Sequence, residues 1–318
     1  MALIKFVSDF VRTFKITYII SNLFNYNKLK KNAVLYKKYG LKKSVIAPIS
    51  SKDFAKVPAQ PKSWLDEKSL KEIAAANNDF QRFPKNIQDS LINWSEDGYA
   101  ILPGFFSKQA EEVNRTIKDK LKNGEIKFRY GNKIMFAMNR SELIRNIGNE
   151  PLIINILSFL MGKEATLFQS INFIEGSKQK AHSDIVHMTT YPQGYLIAIW
   201  IALEDIKEEQ GALFYYPGSQ KLPYILNEDF NHGGSYLRLG ENAYAAYEDR
   251  VEKQIQETGL KKKVFEAKKG DVLIWHANLL HGGSAITIPG STRKSMVFHY
   301  YADGVICYHE ISQRPAVF

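Results

Sequence analysis

The order of periodic segments along this 318-residue chain predicts an α+β domain built on a β-sandwich or barrel. Helical periodicity prevails before residue 164. After it, the runs become short, rich in β-branched and aromatic residues, and separated by glycine and proline. Apolar residues make up 45% of the chain and charged residues 24%, an ordinary globular composition.

We expect two regions of unequal size. Residues 1–60 form a basic amphipathic N-terminal arm and linker, and residues 61–318 form a single domain. That domain divides into a helical part, 61–164, and a β-rich core, 165–302, with an insertion at 224–263. The chain length suits one large domain with appendages.

The arm carries the whole charge excess. Residues 1–60 hold twelve Lys and Arg against two Asp, which is +10, the net charge of the entire chain. Apolar residues recur from Leu3 to Phe14 at the spacing of an amphipathic helix. Charged residues interrupt this stretch every three or four positions, so it suits neither a membrane span nor a signal peptide.

Two interpretations of the arm stay open. It packs on the body or on a second subunit, or residues 1–45 lie on an anionic membrane as a peripheral contact. No zinc-finger, recognition-helix or RNA-binding signature accompanies the charge, so nucleic acid is not expected as a partner.

The helical part contains four predicted helices and one short strand. Ser69 is a candidate N-cap, and Gly98 and Gly124 mark helix ends. GYAILPGFF predicts a strand and turn, and the proline-containing residues 44–66 predict a linker. The predicted helices are SLKEIAAANNDF, KNIQDSLINWSEDG, SKQAEEVNRTIKDKLKNG and PLIINILSFLMG.

The core contains five predicted strands, and the insertion contains one helix, ENAYAAYEDRVEKQIQ. Each strand run is short and bounded by turn residues. The predicted strands are ATLFQSINFI, YLIAIWIAL, ALFYYPG, DVLIWHANLLHGG and RKSMVFHYYA.

A metal site is suggested by AHSDIVH, residues 181–187. On a strand, His182 and Asp184 project to the same face, and His187 falls on the opposite one. The pair can hold a divalent metal, although an H-x-D sequence is common and also suits a sheet edge.

His281 is the third candidate ligand. It ends a predicted strand before Gly282 and Gly283, where a small ligand has room to approach. His276 lies inside the apolar run and fits a core position better. Two histidines and one carboxylate leave half of an octahedral coordination sphere open, which is typical of non-haem Fe(II) oxygenases.

Arg293 is a candidate partner for a carboxylate. It begins the predicted strand after His281, and we expect the two strands to lie side by side. A guanidinium there could clamp the far carboxylate of a dicarboxylate such as 2-oxoglutarate by two parallel hydrogen bonds. The alternative is an ordinary surface charge.

The order of these motifs over residues 165–302 resembles the phytanoyl-CoA dioxygenase family of Fe(II)/2-oxoglutarate-dependent oxygenases. The motifs are H-S-D, W-I-A-L-E-D, Q-G-A-L with P-G-S, and R-K, with the distal histidine in GDVLIWHANLLHGGS. The resemblance implies a double-stranded β-helix, a cupin-like jelly roll, flanked by helices.

The resemblance also implies the site and its cofactors. Fe(II), 2-oxoglutarate as cosubstrate and O2 are the expected cofactors. Gly283 departs from the family pattern, because a Ser or Thr often stands there, so its hydroxyl is missing or comes from Ser284. The implied metal ligands and catalytic residues are His182, Asp184 and His281, and the implied cosubstrate residues are Arg293, Trp200, Ser284, Gln169 and Asn172.

The predicted function is hydroxylation of an unactivated C–H bond in a small or lipid-like molecule, with release of succinate and CO2. Asp184 favours hydroxylation over halogenation, since related halogenases lack this carboxylate. The lone cysteine, Cys307, excludes intrachain disulfides and favours a cytoplasmic setting. Two alternatives stay open: a catalytically silent binding protein on the same fold, and a cupin-like metalloenzyme that does not use 2-oxoglutarate.

Overall fold

The computed structural model of the chain describes residues 13–230, 234–235, 237–240 and 242–317. The predicted helix that starts near Leu3 therefore lies mostly outside the described residues. The structure contains both helices and antiparallel sheets, as the sequence predicts. The helices are α1 Lys15–Phe24, α2 Tyr26–Leu29, α3 Lys31–Tyr39, α4 Trp64–Glu67, α5 Leu70–Ile73, α6 Asn78–Gln81, α7 Lys85–Leu91, α8 Trp94–Asp97, α9 Ala110–Lys122, α10 Glu142–Gly148, α11 Pro151–Met161, α12 Asn227–Phe230 and α13 Ala243–Thr258.

The helices with the clearest sequence signals are confirmed. α9 has acidic residues in its first turn and lysines in its last, which suits the helix dipole, and Gly124 follows it with φ +73°. The predicted helix at 69–80 is instead broken into α5, a 3₁₀ turn and α6. Asn77 explains the break, because its Oδ1 accepts a hydrogen bond from the Phe80 amide at 2.9 Å and starts a new helix.

The strands of the described residues form three antiparallel sheets. The strands are β1 Tyr99–Leu102, β2 Phe128–Arg129, β3 Lys133–Met135, β4 Ala165–Phe173, β5 Thr189–Tyr191, β6 Leu196–Ala202, β7 Leu213–Tyr215, β8 Lys263–Phe265, β9 Val272–His276, β10 His281–Gly283, β11 Ser295–Ala302, β12 Ile306–His309 and β13 Arg314–Pro315. A seven-stranded sheet has the order β1-β9-β6-β11-β4-β3-β2, and two three-stranded sheets have the orders β10-β7-β8 and β13-β12-β5.

The interior strand β6 shows why the large sheet is buried on both faces. Every residue of β6 is buried. One face, Ile197, Ile199 and Ile201, packs in the core shared with the helices, where α11 lies against β4 and β6. The other face, Ala198, Trp200 and Ala202, packs against the small sheet that contains β7 and β8. Alternating side chains therefore serve two separate cores.

The run DVLIWHANLLHGG forms two strands rather than the single predicted one. β9 belongs to the large sheet, and β10 pairs with β7 in a small sheet. The chain turns between them, where the Leu279 amide donates to the His276 carbonyl at 2.8 Å. His281 thereby faces the large sheet from across the sandwich.

The expected pairing of the strand that carries His281 with the strand that follows Arg293 is wrong. β11 lies between β6 and β4, and β10 pairs only with β7 among the named strands. Arg293 precedes β11 and stays close to the His281 strand for a different reason. A Cβ built on Gly283 would lie 3.6 Å from Arg293 Nη1, so the two segments meet across the sandwich.

The described part of the arm packs on the body. Leu29 and Ile49 are fully buried in a cluster with Ile306 and Tyr308 of β12. The buried Glu310 connects the same regions, because it accepts hydrogen bonds from the Ser51 amide at 3.1 Å and the Asn227 amide at 2.7 Å. The division into an arm and a single domain stays a prediction.

None of the helices in the described ranges combines the length and the apolar character that a membrane span requires.

Candidate active site

His182, Asp184 and His281 come together in the interior of the sandwich. Each offers one ligand atom, and these atoms lie within 4.8 Å of one another. The three residues are at most 6% exposed. A single metal ion between the three is therefore compatible with the spacing and chemistry of the donors.

Backbone hydrogen bonds hold the two histidines side by side. His182 and His281 form an isolated antiparallel bridge, with both N–H···O distances at 2.9 Å. Asp184 does not lie on a strand as expected, because it begins a 3₁₀ turn, Asp184–Val186, whose first amide donates to the Ala277 carbonyl. Because of this turn, the prediction that His187 lies on the face opposite His182 is wrong. It brings His187 to the same cavity, with its ring centroid 6.3 Å from that of His182.

The tautomers of the two histidines suit metal binding. His182 Nδ1 lies 2.8 Å from the Lys180 carbonyl oxygen, and His281 Nδ1 lies 2.9 Å from that of Leu279. A carbonyl oxygen only accepts, so each Nδ1 carries the proton. Both Nε2 atoms are left with a lone pair, the form that binds a metal.

The two oxygens of Asp184 have different neighbours. Oδ1 lies 3.8 Å from His281 Nε2, on the metal side. Oδ2 accepts a hydrogen bond from Trp275 Nε1 at 2.7 Å and lies 3.6 Å from His299 Nε2. One oxygen is therefore occupied by neighbouring donors, which leaves the other for a single-oxygen metal bond.

The protonation states at neutral pH also suit a metal. Burial, followed by the neighbouring His281, lowers the pKa of His182 to about 3, so the ring is neutral. Burial opposes ionisation of Asp184, but His281 and His299 outweigh it and hold the pKa of this carboxyl well below its ordinary value. His182 and Asp184 thus offer a neutral imidazole and a carboxylate without further proton loss.

Arg293 is buried and lacks an anionic partner among the described residues. It is 2% exposed, and its Nη1 donates to the Gly211 carbonyl at 3.1 Å. Its Nε finds no acceptor in the described part of the chain. Burial lowers the pKa of Arg293 to about 10, which still leaves it charged at neutral pH. A buried, uncompensated guanidinium beside a cavity indicates an anion site.

The other predicted cosubstrate residues divide into two groups. Trp200 and Gln169 line the cavity with Arg293, and Trp200 Nε1 has no described hydrogen-bond partner. Asn172 does not reach the cavity, because Gln169, Ile171 and Phe173 of the same strand face it and an even-numbered residue faces away. Ser284 is likewise not among the cavity residues, although its buried Oγ has no described partner.

Gly282 and Gly283 have no space for a side chain. A Cβ on Gly282 would lie 2.7 Å from the Gln179 carbonyl oxygen, and one on Gly283 would lie 2.6 Å from Ser177 Oγ. The departure from the family pattern at Gly283 therefore matches the close approach of the preceding loop at this position.

The cavity has a volume of about 700 Å³. It extends from Arg293 past the three candidate ligands to residues far apart in the sequence, which sequence reasoning missed. A separate groove of about 710 Å³ lies among the helices around Trp64 and Phe159 and contains none of the predicted site residues. The missed residues are Tyr18, Lys133, Trp275, His299, His309 and Arg314.

Two of the missed residues had a usable sequence signal. His299 shares the strand face of Ser295 and Val297 by the period of two, and Trp275 shares that of Leu273. Tyr18 and Arg314 had no such signal, because they reach the cavity from opposite ends of the chain.

A family comparison supports the resemblance seen in the motifs. Residues 141–295 match the family model described as Phytanoyl-CoA dioxygenase (PhyH). Curated relatives are the phytanoyl-CoA dioxygenase domain-containing protein 1 of Danio rerio, 31% identical over 93 residues, and that of Mus musculus, 29% identical over 93 residues. Each alignment covers 28% of this chain, which spans about a third (32%) of those relatives.

Solved structures share the fold. The non-heme alpha ketoglutarate dependent epimerase SnoN from nogalamycin biosynthesis is 19% identical with a TM-score of 0.54, and the match covers 70% of this chain and 86% of that one. The carbocyclase SnoK from the same biosynthesis is 17% identical with a TM-score of 0.55, covering 73% and 88%. EctD from S. alaskensis with bound Fe is 17% identical with a TM-score of 0.52, covering 69% and 77%. The predicted α+β fold with a jelly-roll core is confirmed.

Proposed function

We propose, from the phytanoyl-CoA dioxygenase match over residues 141–295, that this chain is an Fe(II)- and 2-oxoglutarate-dependent oxygenase. The observation that carries the proposal is the sharing of one cavity by the buried triad His182, Asp184 and His281 and the buried Arg293. EctD is described with bound Fe and, in a further structure, with 2-oxoglutarate, which is consistent with both cofactors here.

In this proposal the triad holds Fe(II) through His182 Nε2, His281 Nε2 and Asp184 Oδ1. Bound Fe(II) supplies the activation of O2, coupled to decarboxylation of 2-oxoglutarate to succinate and CO2. The histidine tautomers support these assignments, since both Nδ1 protons are held by backbone carbonyl oxygens. The protein orients the reactants and excludes water.

Arg293 binds the far carboxylate of 2-oxoglutarate. Its Nε and the nearby Trp200 Nε1 are buried donors without described partners, and such donors are costly unless a ligand satisfies them. The Arg293 guanidinium carbon lies 5.6 Å from the ring centroid of Phe173 and 5.9 Å from that of Trp200. These rings limit the space around the carboxylate and keep water away from it. Gln169 contributes a polar contact from the same wall of the cavity.

Hydroxylation is the proposed outcome, at an unactivated C–H bond of a small or lipid-like substrate. Asp184 supports it, because a third protein ligand occupies the position that a halogenase leaves for chloride. We place the activity in the cytoplasm on the basis of the single buried thiol of Cys307.

Succinate formation from 2-oxoglutarate tests the proposal. We expect it to depend on added Fe(II) and to be lost in His182→Ala and Asp184→Ala. Arg293→Ala should raise the KM for 2-oxoglutarate more than a hundredfold, because breaking a buried charged pair costs about 3 kcal/mol or more.

Arg250→Ala is the matched control, since it removes one exposed arginine from α13 without touching the cavity. An unchanged KM in Arg293→Ala would remove the cosubstrate assignment. Equal succinate formation by wild type and Asp184→Ala would contradict the proposal as a whole.

A further inference from the structure

We infer that the substrate carries a carboxylate or phosphate group, and that Arg314 and His309 bind this anion in the part of the cavity next to His187. The inference rests on the proposed function and extends it to the chemical class of the substrate.

The two residues are brought together by strand register. His309 of β12 and Arg314 of β13 are direct antiparallel partners. Both line the cavity that contains the candidate metal ligands. Side chains directly opposite on one face of an antiparallel pair have Cβ atoms about 5 Å apart, so one small anion can contact both.

His309 is oriented as a hydrogen-bond donor. The Ser312 amide donates to His309 Nδ1 at 3.2 Å, so Nδ1 carries no proton and Nε2 does. Burial, followed by Arg314, lowers the pKa of His309 to about 3, which keeps the ring neutral. The imidazole therefore presents a fixed N–H donor without a charge of its own.

Arg314 supplies the charge. Its Nε donates to Ser312 Oγ at 3.1 Å, and its guanidinium carbon lies 5.2 Å from the ring centroid of Tyr18 in the arm. Within the described ranges it makes no ion pair with a carboxylate. Arg314 is exposed, but the neighbouring aromatic ring and one anchored nitrogen restrict its two terminal amino groups, which suits bidentate binding of a carboxylate or phosphate.

The net charge of the cavity also supports an anionic substrate. Its described lining contains three cationic side chains, Lys133, Arg293 and Arg314, and one carboxylate, Asp184, which leaves two positive charges. A divalent metal and doubly negative 2-oxoglutarate cancel each other. Two positive charges remain for the substrate, and a cavity of that sign concentrates anions.

The spacing also limits substrate size. The His187 ring centroid is 6.3 Å from that of His182 and 5.4 Å from that of His309. These distances place the rings of His182 and His309 less than 11.7 Å apart. The anionic group and the reacting carbon therefore belong to a compact molecule or to the head of a longer one.

Binding of three probes of equal chain length tests the inference: hexanoate, hexyl phosphate and 1-hexanol. Calorimetric titration would use Fe(II)-loaded protein without O2, saturated with 2-oxoglutarate so that Arg293 is occupied. We expect at least one anion to bind at least tenfold more tightly than the alcohol, and the two anions distinguish a carboxylate from a phosphate site. Arg314→Gln should reduce this preference to less than twofold, and His309→Gln should reduce it in part.

Arg250→Gln is the charge-matched control and should keep the preference. The inference would be overturned if wild type and Arg314→Gln showed the same preference for the anions over the alcohol. It would also be overturned if Arg293→Gln lost this preference and Arg314→Gln kept it. Binding of 2-oxoglutarate itself is titrated in parallel. If wild type does not bind it, the proposed function fails, and the Arg314→Gln comparison in metal-loaded protein still decides the anion site.

Discussion

Asp184 illustrates how much of a metal site depends on residues that do not touch the metal. Trp275 donates its indole N–H to one carboxylate oxygen at 2.7 Å, while the other oxygen faces His281. Without this donor the carboxylate could rotate, and both oxygens would compete for the ion. Trp275 is therefore a positioning residue for the carboxylate ligand.

Trp275→Phe should weaken metal binding about 10- to 100-fold, because hydrogen-bonded supports of a metal ligand contribute on that order. Competition with a chelator of known affinity measures the effect. Trp200→Phe is the control, since the Trp200 indole N–H has no described partner and its removal should leave metal affinity nearly unchanged. Equal metal affinity in Trp275→Phe and wild type would show that the hydrogen bond does not position Asp184.

At the level of single residues, the period of the strands and the spacing of the motifs predict which side chains lie close together. His182, Asp184, His281 and Arg293 are all found at one cavity, although their roles stay predictions. The sequence could not distinguish Gln169 from Asn172, because either strand face can carry an amide. Only the pairing of β4 with β3 and β11 decides which face meets the cavity.

At the level of elements, the insertion helix α13 supports the metal loop from behind. The Tyr247 hydroxyl accepts a hydrogen bond from the amide of Ser183, between the two candidate ligands, at 2.8 Å. Tyr247 is fully buried in a cluster with Phe230 and Val251. The helix predicted at 241–256 thus connects the insertion to the site, and its Tyr247 packs there rather than covering a substrate.

Tyr247→Phe should destabilise the protein by about 1–3 kcal/mol, because it leaves the buried Ser183 amide without its acceptor. Urea unfolding measures this loss, and metal affinity should fall with it. Tyr26→Phe, at a tyrosine that is 52% exposed, should change neither quantity. A loss of stability with unchanged metal affinity would contradict the link between the helix and the ligand loop.

Strands were more predictable than the connections between them. The buried run of β6 and the alternation in β4 follow from the residue pattern. The turn at 277–280 was not predictable, because ANLL contains neither glycine nor proline. The short strands β5, β12 and β13 were missed as well. His309 lies on β12, and Arg314 lies on β13.

At the level of the whole molecule, burial of neutral histidines makes stability depend on pH. The pKa of His309 is about 3 in the folded protein and 6.5 in an exposed imidazole. The unfolded chain therefore binds more protons between these values, and stability falls as the pH decreases from 6.5 towards 3.

Wild type should lose free energy of unfolding between pH 7 and pH 4 because His309 is held neutral. We expect His309→Gln to reduce this loss by up to about 3 kcal/mol, by the linkage between pKa and stability. Urea unfolding at pH 7 and pH 4 measures the difference in each protein. The same pH dependence in variant and wild type would contradict a neutral, partly buried His309.

The arm presents two faces to different surroundings. Leu29 is fully buried against the body, whereas Ile16, Ile20 and Leu23 on α1 are about half exposed. These three residues lie four and three positions apart on one side of the helix. The described arm from residue 13 to residue 52 contains lysines and no acidic residue. Packing on the body and contact with an anionic membrane are thus compatible.

We expect the full chain to sediment with vesicles that contain phosphatidylserine more than with neutral phosphatidylcholine vesicles. Replacing Ile16, Ile20 and Leu23 by serine should reduce binding severalfold, since apolar burial and charge act together. The matched control is serine at Phe128, Ile288 and Val317, which are similarly exposed elsewhere. Equal sedimentation of all three proteins would contradict the membrane interpretation.

Glu310 has a consequence for the order of assembly. Glu310, whose carboxylate accepts a hydrogen bond from the Ser51 amide, is synthesised 259 residues after Ser51. Strand β12, which packs against Leu29 and Ile49, is synthesised at nearly the same time as Glu310. During translation, Leu29, Ile49 and Ser51 emerge early, and the residues they pack against follow only when almost the whole jelly roll has left the ribosome. Docking of this part of the arm is thus a last step, and the cavity wall to which Tyr18 and Arg314 both contribute is completed at the same stage.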